Sequence, residues 1–338
     1  MFISKHRARL RRGDDLHVHF RDGDMLRLVA PYTAKSFARA LVMPNLTPPV
    51  ASAQDASKYR ERIKTATSGL PFMSLMTIKL LPHTDPETIV KAFHGGVVAA
   101  KLYPRGVTTN AADGIFDLEA MYPVFQKMES CKIVLCIHAE MPDAFCINRE
   151  VEYLPSVGRI ARVFPRLRIV VEHVSTAGAV EYVRRLPSTV AATITLHHLL
   201  LTLDDVVGGS LKPHNFCKPI AKRPKDRDAL LDAALSGNPK FFFGSDSAPH
   251  DRGTKECAEG CAGIFTAPVA LQRLVQLFDE HDALDKLEPF ISEFGARFYN
   301  LPLNEGLIEL AREPWIVPAQ IGNVIPFLAG ETIEWSIV

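Results

Sequence analysis

The sequence predicts an α/β fold: a single (β/α)8 barrel of the TIM type, followed by a helical and irregular C-terminal extension. Three observations point there. Eight short apolar runs rich in β-formers alternate with longer helical stretches. Several of the runs are continuously apolar, as strands buried on both faces must be. The first run is followed by Phe20-Arg21-Asp22-Gly23-Asp24, which is not the Gly-rich phosphate loop that an open doubly wound sheet displays at that point.

The runs follow in order. The first ends in Leu16-His17-Val18-His19, and the second is Ala40-Leu41-Val42-Met43. The third spans Phe72 to Ile78, the fourth Val97 to Leu102 and the fifth Lys132 to His138. The sixth spans Arg168 to His173, the seventh Val190 to Leu196 and the eighth Lys240 to Asp246. Helical segments lie between them, among them Ala53 to Ala66, Leu118 to Met128 and Ala177 to Arg185. Two more, Ile264 to Phe278 and Leu287 to Tyr299, precede a tail rich in Pro and Gly. No repeat, low-complexity segment or linker divides the 338 residues, 47% of them hydrophobic, so one domain over 1–338 is expected.

The 39 Lys and Arg balance the 38 Asp and Glu to a net charge of +1, which offers no pull towards nucleic acid or an anionic membrane. A small molecule or another protein is the expected partner. The six cysteines form no C-x-x-C pair and read as free thiols of a reducing compartment. No apolar run is long enough for a membrane helix. The basic opening, Lys5 to Arg12, has no apolar stretch behind it and is not a secretory signal. An Arg-rich transit peptide is the other reading of it, but the motif at His17 follows too closely to leave room for one. A cytoplasmic location is expected.

In a barrel, chemistry gathers at the carboxyl ends of the strands. His17 and His19 end the first strand; two residues apart, both imidazoles face one side. Asn45 follows the second strand, Lys101 ends the fourth, His138 the fifth, His173 the sixth and Asp246 the eighth, with His250 just beyond. Imidazoles and carboxylates suit zinc. Each residue has a plainer reading: His138 and His173 as hydrogen-bonded core histidines, Asp246 as the cap of a turn. Their coincidence at matching strand ends favours the metal. His197 and His198 follow the seventh strand and read as structural or supporting residues. Lys101 stays open on residue chemistry alone. A desolvated neutral amine can take up carbon dioxide and become a metal-bridging carbamate, whereas a charged one pairs with a substrate anion or a carboxylate.

The chain resembles the class II dihydroorotases of the amidohydrolase superfamily. The matching stretches, in order, are Asp15 to Gly23, Met43 to Pro49, Lys101 to Pro104, Thr108 to Asn110, His138-Ala139-Glu140 and Glu172-His173. Lys218 to Arg223, Gly244 to His250, Cys261-Ala262-Gly263 and Phe327 to Thr332 complete them. The match covers nearly the whole chain.

The resemblance implies reversible cyclisation of N-carbamoyl-L-aspartate to L-dihydroorotate plus water, a step of pyrimidine biosynthesis, at a centre of two Zn2+ per subunit. On that likeness His17, His19 and Asp246 hold one zinc and His138 and His173 the other. Lys101, as its carbamate, bridges both together with a hydroxide, and Asp246 is the general base and acid. Arg21, Asn45 and His250 hold the substrate carboxylate, the backbone at Ala221 and Ala262 completes the pocket, and Thr108 and Thr109 belong to a loop that closes over it. The family commonly forms homodimers, and the same is expected here.

Departures from the family pattern are small: Val18, Ala139 where Gly is frequent, the Arg105-Gly106-Val107 loop, and Ala221 where Leu is frequent. A hydantoinase or allantoinase would share the metal set but not Arg21, Asn45 and His250 together. A non-catalytic barrel would be expected to have lost ligands.

Overall fold

The eight runs become the eight parallel strands of one sheet in a computed structural model that describes residues 2–3 and 6–338. They are Asp14–Val18, Arg39–Val42, Met73–Lys79, Val97–Leu102, Val134–Ile137, Ile169–Val171, Val190–Ile194 and Phe241–Phe243. Spatial order follows chain order, each strand pairing in parallel with the next. The ring closes where Val18 bridges Ser247: the Asp246 amide donates to the His17 carbonyl at 2.8 Å and the His19 amide to that of Ser247 at 2.9 Å. This is the (β/α)8 barrel that the sequence predicts.

The helices carry their own start signals. Ala53–Ala66 opens on a reciprocal cap between Ser52 and Asp55 and buries Ala56, Tyr59 and Ile63, a three-and-four spacing that turns one face to the sheet. Ala177–Arg185 is capped by Thr176 and closes on Arg184 and Arg185, cations that suit the negative end of a helix.

Inside the ring, Leu16, Leu41, Leu75, Val134, Val170 and Phe242 pack together and against Tyr299. The predicted helix from Leu287 to Tyr299 is broken into Leu284–Glu288, a wide turn Pro289–Glu293 and Phe294–Phe298. Pro289 has no N–H to give, which interrupts the regular ladder. Gly295 lets the last piece lie against the barrel floor: a Cβ there would stand 2.0 Å from Leu16 Cδ1. Arg39 and Arg168, at strand beginnings, donate to the carbonyls of Pro302 and Phe298 and tie this segment below the ring.

The tail is more ordered than its composition suggests. Leu307–Ala311 pairs antiparallel with Arg7–Arg11, and Phe2–Ile3 and Ser336–Ile337 extend the pair to a four-stranded sheet outside the barrel. Its partners stand some 300 residues apart in sequence (Arg7 faces Ala311), beyond the reach of any local pattern. Lys5, in the basic opening, lies outside the described residues. All six cysteines are unpaired, and no described helix is long and apolar enough to cross a membrane.

Candidate metal centre

The strand ends bring the predicted ligands together. His17 Nε2 and His19 Nε2 face each other at 3.4 Å, and Asp246 Oδ1 lies 3.4 Å from the first and 3.2 Å from the second. His138 Nδ1 and His173 Nε2 stand 3.1 Å apart, and the His17 and His173 rings are 5.0 Å apart, so the two groups adjoin. His173 and Asp246 reach these positions with left-handed backbones, φ 42° and 44°. That conformation costs a non-glycine residue about 1–3 kcal/mol and gathers at functional sites.

Lys101 is fully buried, and its Nζ has no hydrogen-bond partner. Burial pushes its amine down from the ordinary lysine value, towards the neutral form that reacts with carbon dioxide. Burial likewise lowers His138 and His173, and takes His19 to about 4, so their ring nitrogens keep lone pairs. For Asp246, burial alone would raise the carboxyl. The hydrogen bond with His19 and the neighbouring imidazoles outweigh it and hold the group well below the usual carboxylate range.

The second ring nitrogen of two of these histidines is fixed from behind. His17 Nδ1 lies 2.7 Å from Glu172, which also accepts from the Thr193 hydroxyl at 2.6 Å; His138 Nε2 lies 2.7 Å from Glu140. Carboxylates in this position select the tautomer and the ring orientation of metal-binding histidines. Facing nitrogens, an ionised carboxylate and an unpartnered buried amine fit a zinc pair better than they fit a hydrogen-bonded core.

A pocket opens over these groups. His17, His19, His138, His173 and Asp246 line it together with Arg21, Asn45, Thr108, Thr109 and Ala262. Lys101 is not among the lining residues; its Nζ lies 5.2 Å from the ring centre of Tyr103, which is. His250 stands beside it, with Nε2 2.8 Å from an Arg21 terminal nitrogen and 3.1 Å from the Ala262 carbonyl. Arg21 also donates to the Pro249 carbonyl at 3.0 Å, and its left-handed backbone is held by Tyr59, whose hydroxyl donates to its carbonyl. Burial, then the charges of Arg21 and Lys255, push His250 down to about 3, so it is neutral. Asn45 reaches the Thr109 carbonyl at 3.5 Å, and Asn110 donates back to the Asn45 carbonyl at 3.0 Å, which joins the Thr loop to the second strand end.

Ala221, expected to act through its backbone, has its side chain packed in the surrounding apolar core. Lys218, three residues earlier on the same loop, lines the wall. Tyr103, Ala248 and Gly263 are further wall residues that the sequence did not single out. Nor did it single out Asp15, whose carboxylate accepts from the Ser245 amide and hydroxyl and so carries the turn that presents Asp246. His197, His198 and Cys217 form a second buried group of potential ligands. His198 is committed elsewhere: its Nε2 lies 2.9 Å from the Pro219 carbonyl, a contact that needs a proton on that nitrogen, and Nδ1 lies 3.0 Å from the Thr195 hydroxyl.

Residues 14–324 match the model of the amidohydrolase family. The chain is 48% identical over 337 residues to the dihydroorotase of Erythrobacter litoralis, covering 97% of this chain and 98% of that one. Among solved structures it resembles a dihydroorotase from Campylobacter jejuni (39% identity, 100% of this chain and 98% of that one, TM-score 0.92). It also resembles one from Saccharomyces cerevisiae in complex with 5-fluoroorotic acid (34% identity, 98% of both chains, TM-score 0.93). An L-hydantoinase from Arthrobacter aurescens, at 18% identity and TM-score 0.84 over 98% of this chain and 83% of that one, shares the fold.

Proposed function

Since the chain belongs to the amidohydrolase family, among its dihydroorotases, we propose that it interconverts N-carbamoyl-L-aspartate and L-dihydroorotate plus water in pyrimidine biosynthesis. The observation that carries this reading is one pocket lined by two chemically distinct sets of residues. Four imidazoles and the Asp246 carboxylate line it, and so do Arg21, Asn45 and Ala262, with His250 against Arg21 and Ala262 just outside the lining.

His17, His19 and Asp246 would hold one zinc, His138 and His173 the other, and Lys101, carboxylated on Nζ, would join them. Two such ions lower the pKa of water and polarise the scissile carbonyl. Arg21 presents a guanidinium fork to the substrate carboxylate, and Asn45 adds a donor without charge. Asp246, ionised before substrate arrives, takes the proton of the attacking water. As the ring C–N bond breaks, it delivers that proton to the departing amide nitrogen; ring closure runs the same transfers in reverse. Thr108 and Thr109 cover the site with hydroxyls and exclude water without bringing in an unpaired charge. The cytoplasmic location and the homodimer are part of the same proposal and rest on the family resemblance.

The deciding experiment counts zinc in the purified chain and assays the same sample. Two ions per chain and hydrolysis of dihydroorotate that chelation removes and zinc restores are expected. Hydantoin, a cyclic amide without the carboxylate, is expected to be a poor substrate. A folded, zinc-loaded sample inert towards dihydroorotate would overturn the reading.

A further inference from the structure

Lys255 lies on a single helical turn, Arg252–Lys255, and is 4% exposed. Its ammonium donates to three backbone carbonyls: Phe216 at 3.2 Å, Cys261 at 3.0 Å and Gly263 at 2.5 Å. Among the described residues none of its partners is a carboxylate. A buried cation left with carbonyls alone is costly, and nothing in the proposed reaction touches this one.

Two of the three carbonyls flank Ala262. The peptide unit between Cys261 and Ala262 is planar and trans, so its C=O and N–H point in opposite directions. Fixing the Cys261 carbonyl on Lys255 turns the Ala262 amide to the far side. Ala262 and Gly263 line the pocket, and the Ala262 carbonyl meets His250, which meets Arg21. The path is tightly set. The Gly263 amide donates to the Phe216 carbonyl at 2.9 Å, and a Cβ on Gly263 would stand 2.3 Å from the Ala248 carbonyl oxygen. Arg21 also spends its nitrogens on a carbonyl and an imidazole. Arg21 and, behind the 261–263 segment, Lys255 thus both lack a hydrogen-bonded carboxylate partner among the described residues. Burial pushes the Lys255 amine down only to about 8, so it stays largely charged at neutral pH.

We propose that Lys255 is the positioning residue for the substrate carboxylate: it aims the Ala262 amide into the pocket and adds a positive charge behind the 261–263 segment. This rests on the reading above, in which a carboxylate binds against Arg21, Asn45, His250 and Ala262. Lys255 itself touches no substrate atom. It acts through the 261–263 segment and through its field.

The test uses the zinc-loaded full chain and two ligands that differ by the carboxylate, 5-fluoroorotic acid and 5-fluorouracil. In Lys255→Met, KM for dihydroorotate and the Kd of 5-fluoroorotic acid are expected to rise at least about tenfold. Zinc content should stay unchanged, kcat should stay within about threefold, and binding of 5-fluorouracil within about twofold. Lys255→Arg, which keeps the charge, should recover part of the loss. Lys255→Gln, which keeps donors without charge, should fall between and takes over the comparison if the Met variant does not fold. Equal weakening of both ligands, a fall in zinc content or an unchanged KM overturns the proposal. If the unsubstituted chain fails to hydrolyse dihydroorotate, the reaction assigned above fails, while the two titrations still decide on Lys255.

Discussion

Where the barrel strands begin, Asp14 receives two nitrogens of Arg39 at 2.8 and 2.7 Å and the Asn304 amide at 2.9 Å, beneath a plug of Leu16, Phe242 and Tyr299. Where the strands end, Lys101 Nζ, Tyr103 Oη, Glu172 Oε1 and His173 Nδ1 are buried without partners. Arg21, His173 and Asp246 stand there in left-handed backbone. At the first end the buried Asp14–Arg39 pair is fully partnered and the plug is apolar, with Arg12 Nε and Thr189 Oγ1 left unpaired beside strand beginnings. The other holds polar groups that fold stability alone would not select, since each buried unpaired group costs about 1–3 kcal/mol. The difference shows which end the sequence shaped for a ligand and which end keeps the ring closed while it waits for one.

Substitutions at the two ends should therefore separate cleanly. Asp246→Asn is expected to lower turnover in both directions by at least about 10³-fold while zinc is largely retained; near-normal rates would remove Asp246 from proton transfer. Phe242→Ala, at the floor, should cost about 3–5 kcal/mol in denaturant unfolding of the metal-loaded chain and leave KM alone. A KM change there would break the division between the ends. Arg21→Met should raise KM on the order of 100-fold with the metals in place, and unchanged saturation would sink its assignment. Glu172→Gln, which keeps the shape behind His17 but not the charge, should weaken zinc by about 10–100-fold in chelator competition. If zinc is held as tightly as before, Glu172 is a core carboxylate and nothing more.

The barrel was legible because its elements are locally determined. Val97–Leu102 is buried almost throughout and the helices at 53–66 and 177–185 have side-chain caps, so their predicted bounds coincide with those observed. Of the candidate ligands, His17 and Lys101 lie within strands, where alternation fixes the facing side, while His19 and His138 lie one residue past a strand end. Legibility stops where the strand does. The sixth strand ends at Val171, so Glu172 and His173 no longer alternate between faces, and both come to serve one centre. Lys218 lies on a loop whose path no periodicity encodes, and it was not among the residues expected at the pocket. Lys255 sits on a four-residue turn well past the eighth strand in sequence, with only carbonyls as hydrogen-bond partners among the described residues. Its type and spacing carry no signal.

A ring of strands has one seam. Here it lies between the first strand and the eighth, where regular pairing has thinned to the Val18–Ser247 bridge and the amides of Asp246 and His19. His17 and His19 stand on one side of that seam and Asp246 on the other. An ion held by these three would act as a rivet across the joint, so emptying the centre should loosen the barrel there before anywhere else. Hydrogen exchange on the chelated chain should show the amides of His19 and Asp246 losing protection while those between the fourth and fifth strands keep theirs.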